Sequence, residues 1–368
     1  MSVTDKHRQA NLTIKSSQRS YEVAFNHGFE TMESQLAVYE NMVLVIDKRV
    51  SELYKSAFKS LKEDRPVLEV EVNEGLKTLE GIQFVIEWLL RNNCNRSTTI
   101  VGIGGGIVQD LVTFTSNIFY RGTSFVLLPT TLLSMADSCI GSKCGINFGP
   151  YKNQLGVIHA PKGVHIFTEF LESLDEIEIK SGYGEVLKLA VTGSQVALDS
   201  LITEVDAHGL RGDHLLKLIH QSLLIKKKVV EKDEFEVDLR RILNYGHTFG
   251  HALEALTHHA IPHGLAVAWG IDLINFLRVE QDHGFTETDL KIHEFISQHL
   301  PFSLREFPSA TELVQMVRRD KKMSNGLIHL ATPRNCGDIF IRPTVLDEKL
   351  SNLVDKYLKI RNVYGSKV

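Results

Sequence analysis

Four cysteines in 368 residues, none of them paired at CxxC spacing, give the chain neither a disulfide framework nor a cysteine-built zinc site. Cys94, Cys139, Cys144 and Cys336 are expected as free thiols in a reducing compartment. Long apolar runs are also missing. The longest, such as 42–46 and 125–128, have the length of a strand and fall far short of the roughly 20 residues of a membrane helix. The opening stretch Met1-Ser2-Val3-Thr4-Asp5-Lys6-His7 lacks the apolar core of a secretion signal, which predicts a cytoplasmic protein. A formal charge of −4 offers no basic footprint for nucleic acid. There is no internal repeat and no low-complexity linker. What remains, 43% hydrophobic and 23% charged residues, suits a globular protein of two domains or one large one.

The first half alternates strand, turn and helix. Residues 42–47 form a continuous apolar run ending on Asp47, the pattern of a parallel strand buried on both faces, with an acid placed to bind ribose hydroxyls. A second strand at 67–72 leads to Glu74, Lys77 and a helix with Leu79, Ile82, Ile86 and Leu89 at helical spacing. A third, 98–103, runs into Gly104-Gly105-Gly106-Ile107-Val108-Gln109-Asp110. Strand, glycine cluster and amphipathic helix in that order bring backbone N–H groups against a pyrophosphate, although a tight turn alone also asks for glycine and GxGxxG is absent. Tyr120-Arg121-Gly122 precedes a fourth strand, 124–128, and Pro129-Thr130-Thr131. Asp137, Lys143, Lys152 and Asn153 then lie among small residues, a texture that lets a loop close on a polar ligand or simply be solvated. A strand at 163–167 ends this half.

Beyond it the periodicity is helical: 177–191, 214–230, the His247 segment, 266–277, 312–319 and 350–361, with one short strand at 326–331. The expected architecture is an α/β nucleotide-binding domain with a parallel, Rossmann-like sheet (1–165) plus an all-α domain for metal and substrate (166–368), with the site in the cleft between them. Glu185 and Lys188 share a helix face at i, i+3, as an ordinary surface ion pair also would. In Lys226-Lys227-Lys228, Lys226 lies on a different face from its neighbours and is free to turn inward. His247 and His251, at i, i+4, point into one space just after Arg240 and Asn244. A carboxylate, two imidazoles and an open position make a catalytic zinc site, and Glu185, His247 and His263 can supply it, with His251 and His259 competing for the same role. Zinc so held lowers the pKa of a bound alcohol and suits a nicotinamide cofactor.

In combination these residues resemble the 3-dehydroquinate synthase family, within the wider group of sugar phosphate cyclases, from about residue 45 to 331. The likeness is carried by Asp47, Glu74-x-x-Lys77, GGGxxxD, YRG, PTTLL, DSxxGxK, KN, GxxExxK, RxxxNxGHTFGH, HGxA and RDKK, all in order. The resemblance implies a dehydroquinate synthase-like fold and zinc, with Co²⁺ as an alternative ion, on Glu185, His247 and His263. It implies NAD on Asp47, Glu74, Lys77, Gly105, Gly106, Asp110, Thr130, Thr131, Lys143, Lys152 and the Phe170 to Ser173 segment. It further implies a substrate pocket of Asp137, Lys143, Asn153, Lys188, Lys226, Arg240, Asn244, His251 and Lys322, and a homodimer with Arg121 near the interface.

The implied reaction turns 3-deoxy-arabino-heptulosonate 7-phosphate into 3-dehydroquinate and phosphate, a step of the shikimate route to aromatic amino acids. NAD oxidises a secondary alcohol at zinc, phosphate leaves from the acidified neighbour, the ketone is reduced again, and an aldol step closes the ring. Arg240 offers a fork to a carboxylate. Relatives that close sedoheptulose 7-phosphate to a valiolone-type product are similar at Lys143-Cys144-Gly145-Ile146-Asn147-Phe148-Gly149 but typically lose the residues at 244, 251 and 322, all kept here. That cyclase, or one for an amino analogue, is the alternative, followed by an NAD-dependent metal alcohol dehydrogenase and a catalytically silent scaffold. Two departures stand out: Gln109 where the GGGxxxD turn usually has glycine, and Leu265 where an acid usually follows His-Gly.

Overall fold

Among the described residues the first unit has nine strands, the apolar run 42–46 closed by Asp47 among them. In the computed structural model, which describes residues 9–149, 151–282, 284–318 and 327–365 (without the side chains of 282 and 361–365), these are β1 (Leu12–Ile14), β2 (Tyr21–Asn26), β3 (Met42–Asp47), β4 (Val67–Val70), β5 (Thr99–Gly104), β6 (Ser124–Pro129), β7 (Lys143–Phe148), β8 (Tyr151–Ile158) and β9 (Gly163–Phe167). Seven of them form one sheet in the order β1-β2-β9-β6-β5-β3-β4. All its pairings are parallel except β1 with β2. β3 and β5 are interior strands, and Leu44, Val45, Ile46, Ile100, Val101 and Ile103 are fully buried, each side chain contributing about 1.5–3 kcal/mol.

The chain steps from β3 to β4 on one side and then returns to β5 on the other, so the order reverses at β3 and β5, the position where open α/β sheets bind nucleotides. Asp47 ends β3 and the triple glycine ends β5. The helix Gly106–Ile118 packs tightly on β5 because the strand has no side chains there: a Cβ on Gly104 would lie 2.5 Å from Val108, and one on Gly102 3.0 Å from Val112. β7 and β8, expected as a loop, form a separate antiparallel hairpin, bringing Lys143, Lys152 and Asn153 onto an ordered ribbon.

The second unit is mainly helical. Glu176–Gly193 and His263–Asp282 pack against each other, and His247–Leu256 also packs on His263–Asp282. The strand expected at 326–331 is observed as β10 (Leu327–Asn335), and it pairs with β11 (Asp338–Val345) in an antiparallel ribbon.

The compact units are Met1–Asp175 with Leu215–Phe235, and Glu176–His214 with Glu236–Val368. The expected division at 165 and 166 differs from this in two respects: the first unit runs ten residues further, and most of the helix His214–Val230 belongs to it. Glu231 and Glu234 accept hydrogen bonds from the Lys15 and Ser17 backbones at 2.7 and 2.8 Å, and His220 lies against Phe25. Helical periodicity shows that a face is buried without showing what covers it.

Candidate active site

In the second unit, three helices bring a carboxylate and imidazoles together. Glu185 Oε1 lies 3.0 Å from His263 Nε2 and 3.5 Å from His247 Nε2. Its other oxygen, Oε2, pairs with Lys188 Nζ at 2.6 Å. At 2% and 3% exposed, Glu185 and Lys188 form a buried pair and not the surface ion pair that their spacing also allowed. Glycine backbone contacts set this convergence. A Cβ on Gly184 would fall 1.9 Å from the Gly264 carbonyl oxygen, one on Gly264 1.7 Å from that of Ser181, and one on Gly270 2.0 Å from that of Gly246. Without side chains between them, the backbones bearing Glu185, His247 and His263 touch.

The imidazole nitrogens of His247, His251 and His263 lie within 4.8 Å of one another, so the competition over the third ligand stays open for His251. His259 is outside this group. The buried Glu185 carboxylate lies beside two of these imidazoles, those of His247 and His263. Burial, then the Lys188 charge and the neighbouring histidines, hold His247 well below the usual histidine pKa. Its Nδ1 faces the Tyr245 carbonyl at 3.2 Å, which directs the Nε2 lone pair toward Glu185. His263 lies between two carboxylates, with Nδ1 2.9 Å from Glu254 Oε2. Burial opposes its charge, yet hydrogen bonds that its ring donates to Glu185 and Glu254 raise its pKa to about 10. The spot favours positive charge, and carboxylate and imidazole donors are residue types that can hold a divalent metal.

Glu254 was missed in the sequence, although 247, 251 and 254 share one helix face. Leu265, the departure after His-Gly, is fully buried in the core, and the acid beside His263 Nδ1 comes from another helix. Asn244 Nδ2 donates to Glu236 Oε1 at 2.7 Å, Arg240 is 5% exposed, and Lys322, with the rest of the RDKK motif, lies outside the described residues.

In the first unit, Lys77 Nζ pairs with Asp110 Oδ2 at 2.7 Å, while Asp110 Oδ1 accepts from the Gly145 N–H at 3.0 Å. Glu74 holds Lys152 Nζ at 3.3 Å and accepts from Asn147 Nδ2 at 3.0 Å. The Asn153 carboxamide lies against Gly145, where a Cβ would be 2.6 Å from its oxygen. Thus Glu74, Lys77, Asp110, Lys152 and Asn153 come together around the β7–β8 hairpin. Lys226 faces inward and bonds both the carboxylate and, at 2.8 Å, the carbonyl of Asp137. Gly105 caps the helix Gly106–Ile118 beside Thr131, and the Thr130 N–H donates to the Gly104 carbonyl. Asp47 Oδ1 caps the helix Lys48–Leu53 by accepting from the Arg49 N–H at 2.8 Å. Phe170 is 1% exposed within a cluster of Phe29, Tyr54 and Phe58, so the Phe170 to Ser173 segment has its backbone, Glu172 and Ser173 to offer a ligand. Arg121, at φ 62°, and Asn153, at φ 50°, hold left-handed backbone conformations that side chains resist, as residues at functional sites often do.

Residues 67–181 match the family model for the 3-dehydroquinate synthase N-terminal domain, and residues 182–323 that for its C-terminal domain. The chain belongs to the 3-dehydroquinate synthase family. A 3-dehydroquinate synthase of Streptococcus equi subsp. equi is 33% identical over 358 residues, covering 95% of this chain and 99% of that protein. One from Dictyoglomus turgidum is 35% identical over 329 residues, 89% of this chain and 91% of its own. Among solved structures, 2-epi-5-epi-valiolone synthase of Streptomyces hygroscopicus subsp. jinggangensis 5008, with NAD+ and Zn2+ bound, superposes with a TM-score of 0.84 at 23% identity, covering 96% of this chain and 99% of that one. A 2-deoxy-scyllo-inosose synthase complexed with carbaglucose-6-phosphate, NAD+ and Co2+ gives 0.82 at 20% identity, covering 94% and 99%. These two show that the fold is shared with other cyclases. Among the described residues, no helix is long and apolar enough to cross a membrane.

Proposed function

We propose that this protein is an NAD- and divalent-metal-dependent carbon–oxygen lyase that converts 3-deoxy-arabino-heptulosonate 7-phosphate to 3-dehydroquinate and phosphate. The observation that carries the reading is the buried Glu185 carboxylate within reach of both His247 and His263, in a chain of this family. Glu185, His247 and His263 hold the ion, zinc or cobalt, and Glu254 orients His263. NAD rests on the Gly105 and Gly106 backbone, with Asp47, Glu74, Lys77, Asp110, Thr130, Thr131, Lys143, Lys152 and the Phe170 to Ser173 segment around it. When bound, the two together supply reversible hydride removal from an alcohol, which acidifies the adjacent carbon.

This chain's own residues do the rest. Arg240 grips the substrate carboxylate as a two-pronged donor, and Asn244, fixed by Glu236, donates beside it. Lys188 and His251 place donors near the leaving phosphate, stabilising the charge that develops there, with Lys322 adding a further cation. Asp137, locked by Lys226, and Asn153 position the sugar hydroxyls. In a cytoplasmic homodimer, Arg121 of one protomer would serve the site of the other.

A second reading has one observation in its favour: residues 143–149 resemble relatives that close sedoheptulose 7-phosphate. Orthophosphate release from a panel of heptulose and heptulosonate phosphates, with NAD and Zn²⁺, separates the two. Release from the carboxylated heptulosonate alone is expected. Release from sedoheptulose 7-phosphate alone selects the second reading, and none from any substrate overturns the lyase assignment.

A further inference from the structure

Gln109 occupies the position in the GGGxxxD turn where the family resemblance has glycine, and the structure gives its side chain one settled bond and one open one. The residue is 4% exposed. Its Oε1 accepts from the Ser138 hydroxyl at 2.5 Å. Its Nε2 is consequently turned away from Ser138 and has no hydrogen-bond partner among the described residues. A buried donor left unpaired is unfavourable, so the amide is built to meet an acceptor that arrives from outside. Gln109 lines a small cavity together with Asp110, Ser138, Ser142, Lys143 and His159. The cavity belongs to the same stretch of the first unit that carries the Lys77–Asp110 pair.

The sheet order says which part of a dinucleotide lies there. β3, ending in Asp47, and β6, followed by Ser138 and Lys143, flank β5 on opposite sides. A dinucleotide whose pyrophosphate meets the backbone of Gly105 and Gly106 therefore lays one nucleoside over β3 and the other over β6. An acid at the end of β3 suits the ribose of the adenosine half, which leaves the β6 side to the nicotinamide half. Gln109 stands about one helical turn beyond the glycines and is tied to the β6 side through Ser138.

We propose that Gln109 Nε2 donates a hydrogen bond to an acceptor on the nicotinamide half of NAD, a contact that glycine at this position cannot make. The inference rests on the reading that this unit binds NAD. Gln109 is a cofactor-positioning residue that adds one neutral donor beside the Lys143 cation.

The test is calorimetric affinity of the purified full-length protein for NAD+ and for ADP-ribose, which lacks the nicotinamide, measured on wild type, Q109L and Q109M. Q109M keeps the length of the side chain and removes the donor without adding charge, so it remains informative if Q109L folds poorly. Both variants are expected to weaken NAD+ about tenfold, the effect of one lost hydrogen bond, while ADP-ribose affinity changes less than about twofold. Equal losses for both ligands would mean that Gln109 only shapes the start of the helix, and no loss for either that a buried water pairs the donor; each overturns the proposal. A wild type that binds neither ligand overturns the NAD reading itself, and does so before any substitution is made.

Discussion

Replacing Gly184 by alanine tests whether helix contact, and not the ligands alone, sets the spacing of the metal site. The added Cβ would stand 1.9 Å from the Gly264 carbonyl oxygen and 2.5 Å from its carbon. Both are backbone atoms, so no side chain can rotate away; to reach even 3.0 Å, the helices Glu176–Gly193 and His263–Asp282 must part by about 1 Å. That movement breaks the hydrogen bond from the Gly264 N–H to Ser181 Oγ, now 3.1 Å, and draws Glu185 away from His263. Overpacking costs about 1–3 kcal/mol where side chains can adjust, so about 3 kcal/mol or more is expected here, and roughly 4 °C or more in melting midpoint. A displacement of about 1 Å is also several times the roughly 0.2 Å tolerance of a metal–ligand bond. Thermal melts with and without added Zn²⁺, with elemental analysis after gel filtration, read both effects. G184A should melt lower and retain little zinc. A variant that keeps wild-type zinc stoichiometry and melts within a degree of the parent would refute the idea that this contact brings the ligands together.

Three further outcomes are expected. Glu254→Ala should weaken zinc binding by roughly 10–100-fold in competition with a chromophoric chelator, with Glu254→Gln in between because it keeps an acceptor for His263 Nδ1; parent-like affinity in both would show that Glu254 does not orient the ligand. Lys226→Met leaves the Asp137 carboxylate buried without its cation and should cost about 3–5 kcal/mol in a urea titration, a loss that adding Asp137→Asn should largely reverse; two losses that simply add would show the pair to be uncoupled. Arg240→Ala should raise the barrier for a carboxylated substrate by about 1.5–3 kcal/mol, read as kcat/KM, and an unchanged value would mean that another group holds the carboxylate.

Much of the fold was legible because its signals are local. A run such as Met42 to Asp47 needs only its own residues to announce a buried parallel strand, and the observed β3 has the expected limits. The glycines after β5 likewise reveal a backbone held open at a helix start. The β7–β8 hairpin was less visible, since its small and polar residues read equally well as a loop. Glu254 shows a different gap. Its spacing from His247 and His251 was in plain view, but an acid on a helix face has no meaning until His263 arrives from the next helix to face it.

By itself, then, the sequence determined the strand-then-helix order and the residue types able to bind a metal and a dinucleotide, and it left open an inward turn of Lys226, because periodicity and composition act over a few residues. Only the tertiary structure decided that Glu185 meets His247 and His263, that Glu254 lies against His263, and that Leu215–Phe235 joins the sheet unit. Those facts depend on how closely distant backbones approach. That distance is set by glycines such as Gly184 and Gly264, whose effect appears only once both helices are in place.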